Sequence, residues 1–164
     1  GYTMQMPEEE HYLMSKEEIT EQIVTLLSGR TAEEIIFNTI TTGAANDIER
    51  ATELARAMVT KFGMSESFDM MALEKNSNMY LEGKTARLCS DATGSKADYE
   101  ALEIIKDCHK KATELLSANI DKLHKIAAFL IEKETITGEQ FMELFNEKDE
   151  QSEENNITEV TENE

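Results

Sequence analysis

The chain is 164 residues long, 40% hydrophobic and without tryptophan, and its formal charge is −18. That length holds one helical core of moderate size rather than two ordinary domains, and that charge is repelled at long range by nucleic-acid backbones and anionic membrane surfaces. Two cysteines, Cys89 and Cys108, are too few for a disulfide framework or a zinc knuckle and suit plain thiols in a reducing compartment.

One proline, Pro7, and seven glycines leave few obligatory breaks. The prevalence of Ala, Leu, Ile, Met, Glu and Lys predicts a mainly α fold, a bundle-like helical domain with one short N-terminal strand. The stretch has no apolar run of about 18 residues and no charged-then-apolar leader, so it is expected to be neither membrane-spanning nor a signal peptide.

Residues 1–7 alternate in the manner of a short strand that Pro7 ends, and such a strand needs a partner upstream of Gly1. Ser15-Lys-Glu-Glu18 is a capping box, with Met14 and Ile19 placed as a hydrophobic staple. Ile19, Ile23, Leu26 and Leu27 follow at helical spacing, then Ala32, Ile35 and Ile36 beyond Gly29, where the helix either continues or breaks. After a polar loop over 39–44, a second helix is predicted from Ala45 to Phe62, its face drawn from Ile48, Ala51, Leu54, Ala55, Met58, Val59 and Phe62 and its stop at Gly63.

Residues 64–92 are weakly patterned and read as a long excursion with one short helix. From Asp98 a helical face returns through Leu102, Ile105, Ala112, Leu115 and Leu116. Asn119 is placed to cap a further helix through Ile120, Leu123, Ala127 and Leu130, expected to pack antiparallel to the one before it. Thr137-Gly-Glu-Gln140 is a second capping box, with Ile136 and Phe141 as its staple, and opens a short helix through Phe145. The expected organisation is one domain over 1–146 and an acidic, disordered tail over 147–164, where eight acidic residues stand against Lys148.

Asp47 is the residue that chemistry singles out. It sits at the edge of the second helix's apolar stripe, in line with Ala51, Leu54 and Met58. A carboxylate there is costly unless something pairs with it. The plain alternative is a first-turn acid that interacts with the helix dipole and its free amides.

Thr41-Thr-Gly-Ala-Ala-Asn-Asp-Ile-Glu-Arg-Ala-Thr52, followed by Ala55-Arg56, Met58-Val-Thr60 and Phe62-Gly-Met-Ser-Glu66, resembles the signature block of the FtsH family of ATP-dependent zinc proteases, peptidase family M41. Gly1-Tyr-Thr3, Tyr12-Leu13, Ser15-Lys-Glu17 and Leu27-Ser-Gly-Arg-Thr-Ala-Glu-Glu34 resemble the family's preceding segment in order, and Thr93, Asp98, Glu100, Ile104-Ile105 and Glu134-Thr135 its later ones. The resemblance covers about residues 1–145 and implies the C-terminal part of the family's peptidase domain.

In that family two histidines of an H-E-x-x-H helix and the aspartate of this block hold the catalytic zinc, so the resemblance implies that Asp47 is the third metal ligand. Glu33 is a weaker rival, read as a solvated or ligand-supporting carboxylate. H-E-x-x-H is not among these 164 residues, and His11, His109 and His124 have no metal spacing, so each reads as a surface or half-buried helix residue. The chain alone is therefore expected to be inactive, with no catalytic residue of its own. The family places H-E-x-x-H upstream of the Gly-Tyr-Thr strand, and the ATPase module and membrane segments before that, so the chain is expected to be a piece of a longer protein. With no G-x-x-x-x-G-K-[ST] here, ATP is assigned to a module outside the chain.

The resemblance implies a membrane-anchored, zinc-dependent endopeptidase that degrades unfolded or membrane proteins fed by an ATPase ring. Its expected assembly is a homo-hexamer on the cytoplasmic face of a bacterial cell membrane, held there by segments outside this soluble portion, with no nucleic-acid partner. The alternative is a non-catalytic pseudoprotease or ring-assembly module.

Overall fold

Ser15 starts the first helix with both bonds of its capping box: its Oγ accepts from the Glu18 amide at 3.2 Å, and its own amide donates to Glu18 Oε2 at 2.6 Å. The computed structural model describes residues 13–76 and 85–147. Its elements are α1 (Lys16–Phe37), a single 3-10 turn (Thr42–Ala44), α2 (Ala45–Thr60), β1 (Glu74–Asn76), β2 (Thr85–Arg87), α3 (Asp91–Ala118), α4 (Ile120–Lys133) and α5 (Gly138–Asn146). The fold is mainly α, as composition predicts. The expected strand at 1–7 and the tail beyond Glu147 lie outside the described residues.

Helix α1 runs unbroken through Gly29, which settles the boundary that the sequence leaves open. Thr31, in the turn after it, is buried and donates its hydroxyl to the Leu27 carbonyl at 2.9 Å, so its own polar group is satisfied. The helix ends at Asn38, whose left-handed backbone (φ 49°) turns the chain while its amide bonds the Glu34 carbonyl.

The chain divides into two compact units at Ser117 and Ala118. In the first, Ile19, Ile23, Val24 and Leu27 of α1 bury against Ala51, Ala55, Met58 and Val59 of α2, with Leu73 and α3's Ala97, Ala101, Cys108 and Ala112 completing the cluster. Each of the larger side chains contributes roughly 1.5–3 kcal/mol by leaving water. The alanines let neighbouring backbones approach closely enough to leave no void.

Three sequence expectations need correction here. Helix α2 ends at Thr60, two residues early, because Lys61 leaves helical geometry and Gly63 takes a positive φ of 63°. Phe62 is 52% exposed and stands outside the core. Between Gly63 and Ser90 the described residues hold no helix; they hold an antiparallel strand pair, in which Glu74 faces Arg87, Lys75 faces Ala86 and Asn76 faces Thr85. Helix α3 begins at Asp91, not Asp98, since Ser90 Oγ accepts from the Thr93 amide at 3.3 Å and the Ser90 carbonyl from the Gly94 amide. Its buried line is the small-residue row from Ala97 to Ala112, whereas Leu102 and Leu115 are exposed.

The second unit pairs α4 with α5, and neither helix has a fully buried residue. Asn119 stands at the N-cap of α4 without the expected side-chain capping bond. Thr137 and Gln140 form the second capping box, with bonds of 3.3 and 3.0 Å. Phe141 and Phe145 stack at 6.0 Å between ring centres, Lys122 sits 4.0 Å over the Phe145 ring, and Lys125 pairs with Glu147. No described helix is long and apolar enough to cross a membrane.

Candidate metal centre

The segment from Thr41 to Asp47 is built by one carboxylate. Glu33 projects from α1, and its two oxygens lie 2.9 and 3.1 Å from Thr41 Oγ1, while the Thr41 amide donates to the same carboxylate at 3.3 Å. Thr41 Oγ1 also accepts from the Gly43 amide at 3.2 Å, which closes the 3-10 turn. Arg30, one helical turn before Glu33 and Glu34, donates to the Thr41 carbonyl at 2.5 Å and pairs with Glu33 at 3.6 Å and Glu34 at 3.3 Å. Glu34 in turn meets His109 of α3 at 3.2 Å. Both backbone polar groups of Thr41 are thus held by side chains of α1, and the turn enters α2 in a fixed orientation.

That orientation sets Asp47. Helix α2 starts at Ala45 with Ala44 as N-cap, which has no side chain to bond the first-turn amides. Ala44 is buried and anchors the turn from below. Asp47 is the one acid of the first turn and is half-buried. Ala51 and Met58, on the same face of α2, are sealed in the core, so the Asp47 carboxylate stands at the rim of that core. Among the described residues its carboxylate has no hydrogen bond and no ion pair; the first-turn amides do not receive it.

A zinc ion accepts carboxylate oxygen beside imidazole nitrogen and takes three protein ligands and a water in a catalytic site. A half-buried carboxylate without a partner fits one of those positions. Among the described residues no group of three or more His, Cys, Asp or Glu is placed to hold a metal. His109 is engaged with Glu34 and His124 is exposed on α4, as helix histidines read from sequence; His11 lies outside the described residues.

The sequence offered Glu33 as a solvated or ligand-supporting carboxylate; the structure gives it Thr41 and Arg30 as partners. The part played by Thr41 and Arg30 was missed there. The signal for it is local: a threonine two residues before a glycine forms a side-chain turn, and Arg30 stands at i−3 and i−4 from two acids.

Residues 1–144 match the model of peptidase family M41. Over 144 residues the chain is 57% identical to the ATP-dependent zinc metalloprotease FtsH of Clostridium perfringens, which is 88% of this chain and 20% of that protein. It is 48% identical over 144 residues to the protein of the same name from Lancefieldella parvula, covering 88% and 22% of the two chains. It is also 41% identical over 151 residues to that of Thermotoga maritima, covering 90% and 25%. The chain therefore spans between 20% and 25% of the length of these curated relatives.

Proposed function

This chain belongs to peptidase family M41, and we propose from that premise that it is the C-terminal part of the peptidase domain of an ATP-dependent zinc endopeptidase, to which it gives one metal ligand, Asp47. The observation that carries the assignment is the Asp47 carboxylate, half-buried at the core's rim and unpartnered among the described residues. Such a group is destabilising by itself and becomes favourable beside a cation.

Zinc, when bound, polarises a scissile carbonyl and lowers the pKa of a bound water. This chain's own contribution is positional. Asp47 offers an anionic oxygen from a rigid helix start, and the clasp of Glu33 and Arg30 on Thr41 fixes the turn that aims it.

The two imidazole ligands and the proton-handling glutamate belong to the family's H-E-x-x-H, outside this chain. ATP binding and membrane anchoring belong to other parts of the longer protein. The whole protein's substrates are unfolded or membrane proteins, and its assembly is a homo-hexamer at the cytoplasmic face of the bacterial cell membrane. These assignments rest on family membership and on the relatives' name.

Proteolysis tests the reading. The full-length protein is expected to degrade unfolded casein in the presence of ATP, and Asp47→Ala to abolish degradation while ATP hydrolysis and helical content persist. A variant that still degrades casein at the parent rate would remove Asp47 from the site.

A further inference from the structure

An open cleft of about 630 Å³ runs along α2, wholly within the first unit, and begins one helical turn beyond Asp47. Its lining includes Arg50, Leu54 and Ala57 from α2, Lys61 just beyond its end, Gln22 from α1 and Glu74 from β1. From Arg50 to Thr60, its last residue, the helix rises about 15 Å, which matches about five residues of extended chain.

Two properties of the lining specify an occupant. The side chains of Arg50 and Lys61, at opposite ends, have no ion pair or hydrogen bond among the described residues, although the whole chain carries −18. Arg56 is different: it is held by Asp98 at 2.7 Å and Glu74 at 3.9 Å, so it acts as a wall and not as a free cation. Glu53, between the two ends, is the one unpaired acid of the lining. Leu54 and Ala57, half-buried, make an apolar floor midway.

We infer that this cleft is a groove for an extended, acidic segment of substrate polypeptide. Acidic side chains at its ends pair with Arg50 and Lys61, and an apolar side chain between them covers Leu54 and Ala57. The inference rests on the protease reading above, because the groove leads along α2 toward the Asp47 end.

The test uses the full-length protein and two short fluorescent peptides with a central leucine, one with aspartates at both ends and one with lysines. Zinc content, KM, and Kd from fluorescence anisotropy are measured for each. Arg50→Glu with Lys61→Glu is expected to raise KM and Kd for the aspartate peptide about tenfold and to lower them for the lysine peptide, the scale of exchanging partly exposed charge pairs. Lys61→Glu alone, remote from Asp47, is expected to shift both in the same directions by about threefold. Unchanged affinities for both peptides in the charge-reversed variant, with zinc retained, would overturn the groove and leave the protease reading intact. A parent protein without zinc or cleavage would overturn the protease reading, and the anisotropy series would still decide the groove.

Discussion

Glu33 and Thr41, eight residues apart, are joined through both the hydroxyl and the amide of the threonine, with the hydroxyl 2.9 Å from one carboxylate oxygen and the amide 3.3 Å from the other. This clasp ties the end of α1 to the turn that opens α2. On the account given above, it sets the direction of Asp47 without touching it.

Removing that clasp separates support from ligation. Glu33→Ala frees two donors of Thr41 near the surface, where water replaces the lost acceptor, so the loss of stability is expected to be about 1 kcal/mol. Zinc affinity of the full-length protein is expected to fall about 10- to 100-fold, the scale of lost ligand support. Glu33→Gln keeps one acceptor oxygen and is expected to fall between. A thermal melt and a zinc titration against a competing chelator measure the two effects. A melt shift without a change in affinity would make the clasp purely structural.

Two glycines on either side of the site respond oppositely to alanine. Gly29 is exposed in the middle of α1, and an added Cβ meets nothing within 4 Å. Gly29→Ala is expected to stabilise by roughly 0.5–1 kcal/mol through helix propensity. Gly63 has φ 63°, and a Cβ there meets Met70 Cα at 3.2 Å. Gly63→Ala is expected to destabilise by at least about 1 kcal/mol, since both backbone strain and contact oppose it. Urea titration of each variant decides the signs.

Cys108 makes the stability of the chain sensitive to alkali. Burial pushes its thiol pKa up, the neighbouring charge of Asp107 adds to this, and Lys111 opposes it. The folded state therefore holds the proton more tightly than the unfolded one. The resulting stabilisation is fully present below the ordinary thiol pKa and is lost as pH rises through the raised one. Unfolding free energy measured across that alkaline window is expected to fall more steeply for the parent than for Cys108→Ala. Cys89, only half-buried, is expected to react with a thiol reagent well before Cys108. Equal rates for the two would contradict the packing of α3 described above.

Met58 reports on the packing of the inner face of α2, about three helical turns from Asp47. It is 1% exposed and lies on the same face of α2. Met58→Ala is expected to cost about 2–5 kcal/mol, by lost burial and by the cavity left behind. Chemical denaturation measures it, and a cost under about 1 kcal/mol would show that the core around α2 collapses to fill the space.

What could be read in the sequence was whatever local chemistry decides. The capping boxes at Ser15 and Thr137 formed because donor and acceptor lie three residues apart on one strand of chain. The apolar row of α2 buried Ala51, Ala55, Met58 and Val59 as the period requires. Misreadings arose where tertiary contacts choose between local options. On α3 the expected face held Ala112, which is buried, and Ile105, which packs on the core, but its large residues Leu102 and Leu115 are exposed and close packing took Ala97, Ala101 and Cys108 instead. The strands at 74–76 and 85–87 are three residues each, too short to show alternation, and their register comes from pairing with each other. At the candidate site, the helix start and the stripe placed Asp47 at the core's rim. The clasp was not visible, because Glu33 and Thr41 meet only after the chain turns at Asn38.

The most direct measurement is zinc stoichiometry of the full-length protein and of its Asp47→Ala variant, by elemental analysis after dialysis. The account predicts about one zinc per chain in the parent and little in the variant, with helical content unchanged in both. About one zinc per chain in Asp47→Ala would contradict it and leave Asp47 an ordinary acid in the first turn of α2.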